Sequence, residues 1–380
     1  MRRIARERAA ALALLLALFA CAPLPPAPDH LILSPTSFDA LPGWNEDDSA
    51  AALAAFGRSC AVLAKEPPTA SLGIAGTVAQ WQAACAALPP AGAAAAARQY
   101  FETWFQPWEA SNNGATEGLF TGYYEPLLHG ARHPGPGFTT PLLRRPPDLV
   151  MVDLGLFRPA WRGQRIAGRV TDGRLEPYAN RVAIERGALD RYHLPLLWVA
   201  DPVDAFFLEI QGSGLIVLRD GSTVRVGYDG QNGWPYVPIG RVLVERGALT
   251  KGEVSLQTIR AWIAAHPSEG GALMDANPSY VFFREIQGDG PLGSEGVVLT
   301  PGRSLAVDRR FVPLGVPIFL DAGDGLRRLM VAQDTGGAIN GPVRGDVFWG
   351  TGAAAEARAG PMKARGRYYL LLPKSLTPTS

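Results

Sequence analysis

Histidine is scarce and poorly spaced for holding a metal. The five histidines, at 30, 129, 133, 193 and 266, offer only His129 and His133 four apart, in a Pro/Gly-rich stretch that reads as a loop. Metal-hydrolase chemistry needs clustered ligands, so neither a metal site nor a cofactor is expected. No phosphate-cradling glycine loop occurs. Gly212-Ser213-Gly214 lacks the geometry of a nucleophile elbow, in which serine sits between glycines two positions away on each side. Neither charge sign is in excess: 36 basic residues face 35 acidic ones, a formal net charge of +1. Such a chain has no field with which to hold nucleic acid. No apolar run reaches the roughly 18 residues of a membrane-spanning helix.

The one long apolar run lies at the N-terminus. Arg2, Arg3, Arg6 and Arg8 precede twelve apolar residues from Ala9 to Ala20, and Cys21 follows. That is the layout of a secretory signal over residues 1–20. Leu18-Phe19-Ala20-Cys21 is similar to a bacterial lipobox, with the bulky Phe19 as a departure. Two outcomes stay open: lipidation of Cys21, or an ordinary secretion signal and a soluble periplasmic protein. Residues 21–30 form the anchor and a tether stiffened by Pro23, Pro25, Pro26 and Pro28. Ala22 follows the cysteine where an aspartate would favour inner-membrane retention, which points to the outer membrane, facing the periplasm. Cys60 and Cys85 are then either a disulfide, permitted outside the cytoplasm, or two small apolar residues on helix faces.

With 380 residues and ample apolar content, two domains are expected. From Asp47 to about Phe105 the chain is rich in Ala and Leu, and Pro67-Pro68 and Pro89-Pro90 punctuate three helical stretches. After Gly118 short runs of Val, Ile, Phe and Tyr between Gly and Pro turns read as strands, among them FTGYYEP, AFFLEIQGSG, LIVLRDG, SYVFFRE, GVVLTP, PIFLD, RLMVAQD, DVFWG and GRYYLLLP. Helix returns in NRVAIERGAL, IGRVLVERGAL and SLQTIRAWIAAH, the last with Ser255 as N-cap.

What remains for chemistry is carboxylate and aromatic surface. Asp334 ends the apolar run LMVAQ, Gly336, Gly337, Gly341 and Gly345 follow, and Asp346 opens VFWG. A carboxylate where a strand meets a glycine-rich loop can project into a groove whose backbone a ligand approaches closely. Aspartate beside glycine is equally a common turn former. Tyr123, Tyr124, Phe206, Phe207, Phe282, Phe283 and Trp349 offer flat faces for sugar rings, or belong to the core.

The segments TGYYEP (121–126), PYANRVAIERGAL (177–189), AFFLEIQGSGLIVLRDG (205–221), GYDGQNGWPYVPIGRVLVERGAL (227–249), NPSYVFFRE (277–285), AVDRRFVPLGVPIFLD (306–321) and AQDTGGAINGPVRGDVFWGTG (332–352) resemble, in this order, the membrane-bound lytic murein transglycosylase A family. The resemblance covers about residues 118–372. It implies a mainly β protein with N-terminal helices: a double-psi β-barrel domain from residues 31–123 and 284–372, a second β domain inserted at 124–283, and a groove between them. Residues 373–380 remain as a tail. The implied substrate is the glycan strand of peptidoglycan, cut between N-acetylmuramic acid and N-acetylglucosamine. Partners among cell-wall synthesis or division proteins stay unspecified.

The family's catalytic aspartate falls on Asp346, and its second acidic position on Asp334. Asp346 is expected to protonate the leaving oxygen and then act as base, with Val347, Phe348 and Trp349 as an apolar setting that raises its pKa. Asp334 is expected to support. Thr121, Tyr124, Gln211, Gly212, Ser213 and Gly214, with Gly336 and Gly337, are the candidate glycan contacts, each with a structural role as the equal alternative. Glu125 is given no role. Two other readings compete: a hydrolase using both aspartates, whose carboxyls would lie about 5 to 9.5 Å apart, and a non-catalytic glycan-binding lipoprotein.

Overall fold

The computed structural model describes residues 28–90, 94–161, 163–288, 290–323 and 325–378. The signal segment, Cys21 and nearly all of the proline-rich tether lie outside the described residues. Strands β1 (Leu31–Pro35), β2 (Phe105–Asn112) and β3 (Gly118–Glu125) precede a long excursion that holds β4 (Leu127–Ala131), β5 (Thr140–Leu143), β6 (Val150–Asp153), β7 (Arg165–Thr171), β8 (Arg174–Pro177), β9 (Pro195–Val199), β10 (Ser213–Leu218), β11 (Thr223–Gln231) and β12 (Val281–Ile286). The chain then returns with β13 (Ser304–Val307), β14 (Pro317–Ala322), β15 (Arg327–Asp334), β16 (Arg344–Thr351) and β17 (Lys363–Pro373).

The first and last groups make one sheet in the order β1-β2-β17-β14-β15-β13-β16-β3, and β3 also pairs with β17, so six strands close into a ring. Closure removes the free edges that an open sheet would expose. The parallel pairs β13–β15 and β3–β16 sit within it. This is the mainly β body with N-terminal helices that the sequence implied. A Cβ on Gly122 would come within 2.8 Å of the Ala359 backbone. Glycine there lets the helix Ala353–Ala359 lie directly on β3.

The N-terminal helices Ser49–Leu63, Val78–Ala86 and Ala94–Trp104 fall between β1 and β2. Phe56, Trp81, Phe101 and Phe105 bury their rings together and continue into the core of the ring. Cys60 and Cys85 are bonded, with their Cα atoms 5.4 Å apart, and both also lie on helices. Gln333, fully buried, donates to Ala55 O and Ser59 Oγ at 2.9 Å and accepts from Ser304 Oγ at 2.6 Å. The first helix thereby braces the end of β15, one residue before Asp334.

The excursion folds as a mixed six-stranded sheet, β12-β11-β10-β4-β9-β5, and a three-stranded sheet, β6-β7-β8. Buried Arg181 donates to Glu209 at 2.8 Å and to the carbonyls of Asn277 and Ser279, tying helix, strand and loop together. Ser255 caps Leu256–Ala265 in a capping box with Thr258.

Several local expectations are corrected. AFFLEIQ is helix, not strand: Pro202–Gln211 is opened by the Asp201 cap and Pro202, and closed by Gly212 in the left-handed region. Those end signals outweigh the strand preference of two adjacent phenylalanines. GVVLTP forms only an isolated bridge between Leu292 and Val298. His129 lies in β4, not a loop. FQPWEASN, β2, continues straight from a helix, which is why it escaped notice.

Candidate active site

Lateral register builds the site. In β3, β16, β13 and β15, Thr121 pairs with Asp346, Asp346 with Ala306, and Ala306 with Asp334. Side chains two apart in a strand share a face, so Thr121, Tyr123, Arg344, Asp346 and Phe348 point the same way. Both aspartates lie near one end of the ring, where the loops after β13 and β15 emerge.

Asp346 is partly buried, and Thr121 Oγ1 donates to its Oδ1 at 2.7 Å. Arg344 Nη2 donates at 2.8 Å to the same hydroxyl, and Nη1 to Leu119 O at 3.1 Å, so the guanidinium holds the threonine rotor rather than the carboxylate. Burial pushes the Asp346 carboxyl up to about 6, the Thr121 donor and Arg344 oppose the rise, and Asp334 adds to it. Of the expected apolar setting, Phe348 is buried and its ring lies 5.3 Å from Tyr123. Val347 turns into the ring's core. Trp349 turns to the opposite face, against Gly122, where Tyr124 and Ala359 pack on it.

Asp334 is held differently. Its Oδ2 accepts from the Tyr123 hydroxyl at 2.7 Å, and its Oδ1 from Ser294 N, Ser294 Oγ and Thr335 N, each at 2.9 Å. Burial raises its pKa and these donors resist. Three of the four donors crowd Oδ1 and one reaches Oδ2, which keeps one of its two lone-pair positions free. Ser294 and Arg344 were not singled out in the sequence. Arg344 had a signal, its spacing of two from Asp346 on a strand, whereas Ser294 reaches Asp334 across 40 residues and had none.

The remaining candidates divide. Gln211 Oε1 accepts from Tyr124 N at 3.0 Å, pinning the helix Pro202–Gln211 to β3. Tyr124 itself is buried. Gly212 and Ser213 are partly exposed at the start of β10, and Gly214 is buried, a Cβ there colliding with Leu208. Gly336 and Gly337 are exposed in the loop after Asp334. Phe206, Phe207, Phe282 and Phe283, read as possible sugar platforms, are buried in the cores of the excursion. Glu125 joins the two bodies: fully buried, it accepts from Arg225 Nε at 2.8 Å and from Thr351 Oγ1 at 2.6 Å. Among the described residues no group of histidine, cysteine and carboxylate side chains could hold a metal ion.

A partly buried carboxyl that retains its proton toward neutral pH, beside a carboxylate held by four donors, is the equipment of a general-acid site. The ring and the excursion that frame it match known proteins. Residues 119–284 match the model of the MltA specific insert domain, and residues 303–372 that of the 3D domain. The membrane-bound lytic murein transglycosylase A of Escherichia coli K12 is 33% identical over 287 residues, 72% of this chain and 70% of that protein. The Vibrio cholerae protein of the same name is 32% identical over 265 residues, which span 67% of this chain and 65% of the relative. The crystal structure of a membrane-bound lytic murein transglycosylase from Agrobacterium tumefaciens superimposes with a TM-score of 0.80 at 35% identity, covering 90% of this chain and 98% of that one. MltA of Escherichia coli with bound chitohexaose gives 0.64 at 26% identity, covering 93% of each chain. The chain belongs to the membrane-bound lytic murein transglycosylase A family.

Proposed function

We propose that the chain is a lytic transglycosylase that cleaves the β-1,4 bond between N-acetylmuramic acid and N-acetylglucosamine in peptidoglycan, with Asp346 as its one catalytic carboxyl. Protonated Asp346 delivers its proton to the glycosidic oxygen as the bond to the anomeric carbon breaks. The muramic acid 6-hydroxyl attacks that carbon and returns its proton to Asp346. A 1,6-anhydro sugar results, no water is consumed, and nucleophile and electrophile already share one ring. The observation that carries the reading is the engagement of Asp334: four hydrogen bonds from Tyr123, Ser294 and Thr335 stabilise its ionised form and oppose its taking a proton from water. This favours internal transfer over hydrolysis by an aspartate pair. The chitohexaose bound in the Escherichia coli relative supports a glycan as substrate.

The same reading makes residues 31–123 with 284–372 the catalytic body and 124–283 the inserted body. Thr121, Gln211, Gly212, Ser213, Gly336 and Gly337 then line the approach to Asp346, and Tyr124 supports them from beneath. It also places the mature chain in the envelope, carried by a lipid on Cys21. Asp346→Asn should abolish release of anhydro-muropeptides from purified sacculi while sacculus binding persists. Mass spectrometry of the wild-type products distinguishes transfer from hydrolysis, whose product is heavier by one water. Full activity of the asparagine variant would end the assignment.

A further inference from the structure

The excursion carries a surface that the glycan chemistry does not use. In the sheet β6-β7-β8, Val152 pairs with Ile166, Val150 with Gly168, and Val170 with Leu175. Alternation puts these side chains on one face, and that face carries no polar residue. Met151 and Ala167, on the other face, pack toward Gly230 and Gly233 of the body. Val150, Ile166, Val170 and Leu175 are exposed, and the adjoining turn presents Leu156 and Phe157 at 86% and 70% exposure. A contiguous apolar patch of this kind on a folded surface marks a contact site.

Its rim is basic. Residues 144–177 contain seven arginines against four carboxylates. Arg158, beside the Leu156-Phe157 turn, is exposed and stacks over the Trp161 ring at 4.5 Å, whereas Arg165 and Arg169 alternate to the opposite face with Met151. A cavity of about 450 Å³ opens next to the sheet, lined by Arg144, Arg145 and Arg284 with Asp229 and Glu285. Glu285 is already engaged by Arg132. Arg145 and Met151 approach the same point above Gly230, so the cavity meets the sheet on its body side, opposite the apolar face. Exposed apolar side chains in an arginine-rich segment suit an interface in which aliphatic groups enter the acyl boundary and guanidinium groups meet phosphates.

The point of chain entry fits this. Asp29 lies beside Gly341 and within electrostatic reach of Arg310, and the turn at Gly163 rests on the same Arg310 side chain. Residues 22–28 can span at most ~25 Å, so an anchor at Cys21 would hold this side of the molecule near the bilayer.

We propose that the apolar face of the β6-β7-β8 sheet and its Leu156-Phe157 turn, with Arg158 beside it, form a docking surface for an anionic phospholipid bilayer. It acts beside any lipid on Cys21 and independently of the glycan reaction. The test uses the full chain carrying Cys21→Ala, which removes the acyl anchor, sedimented with vesicles of phosphatidylglycerol and phosphatidylcholine or of phosphatidylcholine alone. Binding is expected to the mixed vesicles, to weaken with salt, to fall ~tenfold or more in Leu156→Ser/Phe157→Ser, and to fall about fivefold for Arg158→Ala. Hydrogen exchange should slow over residues 150–175 when the mixed vesicles are added. Both sites are exposed, so melting and sacculus digestion should remain at wild-type levels. Equal pelleting by the serine variant, or no pelleting with either vesicle, would overturn the proposal. So would loss of sacculus digestion or of self-association in the serine variant with vesicle binding intact, since the face would then serve glycan or a second copy.

Discussion

Asp334→Asn removes a charge from beside Asp346 while keeping the shape of the network. The amide oxygen can still accept from Ser294 and Thr335, and its NH2 can donate to the Tyr123 hydroxyl, which turns from donor to acceptor. Asp334 and Asp346 lie two strand spacings apart through Ala306, about 10 Å between backbones. At an effective dielectric near 20, a unit charge at that distance raises a neighbouring carboxyl by ~1.7 kcal/mol, or about 1.2 pH units. Burial opposes the ionisation of Asp334, so that figure is an upper bound and the expected effect is ~1 unit. The sign follows from the mechanism: the acid works protonated, the wild-type midpoint is about 6, and loss of the like charge lowers it. The alkaline limb of kcat/KM for anhydro-muropeptide release should therefore move toward acid by ~1 unit, with activity retained at its new optimum. A limb that stays within ~0.2 unit or moves toward alkali would refute the electrostatic role of Asp334. Complete loss of activity at every pH, in a folded variant, would make Asp334 a second catalytic carboxyl.

Three further outcomes concern the frame. Burial lifts Glu295 to about 7, so its folded pKa exceeds the unfolded one. The stability it lends is complete below the unfolded value and is lost as pH rises to about 7. Glu295→Gln, which keeps an acceptor for Ser59, should match wild type in urea unfolding at pH ~4 and exceed it by about 2–3 kcal/mol at pH ~8. Cys60→Ser/Cys85→Ser opens a link between residues 25 apart and should cost about 3.5 kcal/mol, read as a lower melting temperature that reductant does not lower further. Arg181→Met strands Glu209 in the interior and should destabilise by about 3–5 kcal/mol. The double variant with Glu209→Leu should recover much of that loss, and additive losses would show that the pair is not the cause.

What the residues determined unaided was local. Proline breaks and Ala/Leu content placed the three N-terminal helices, Ser255 announced its own helix, and short β-branched runs between glycines marked β3, β14, β15, β16 and β17. The glycine-flanked aspartates stood out for the same local reason, and the order of seven motifs led to the family to which the chain belongs. The tertiary structure decided what depends on contacts distant in sequence. Register across four strands set Thr121, Asp346, Ala306 and Asp334 abreast, although their numbers span 225 positions. No periodicity encodes register between strands so far apart. The pairing of Cys60 with Cys85, the burial of Phe206 and Phe282, and the donors that hold Asp334 were likewise set by neighbours from elsewhere in the chain. A side chain's type is local, whereas its solvation, and with it the acidity of Asp346, belongs to the assembled fold.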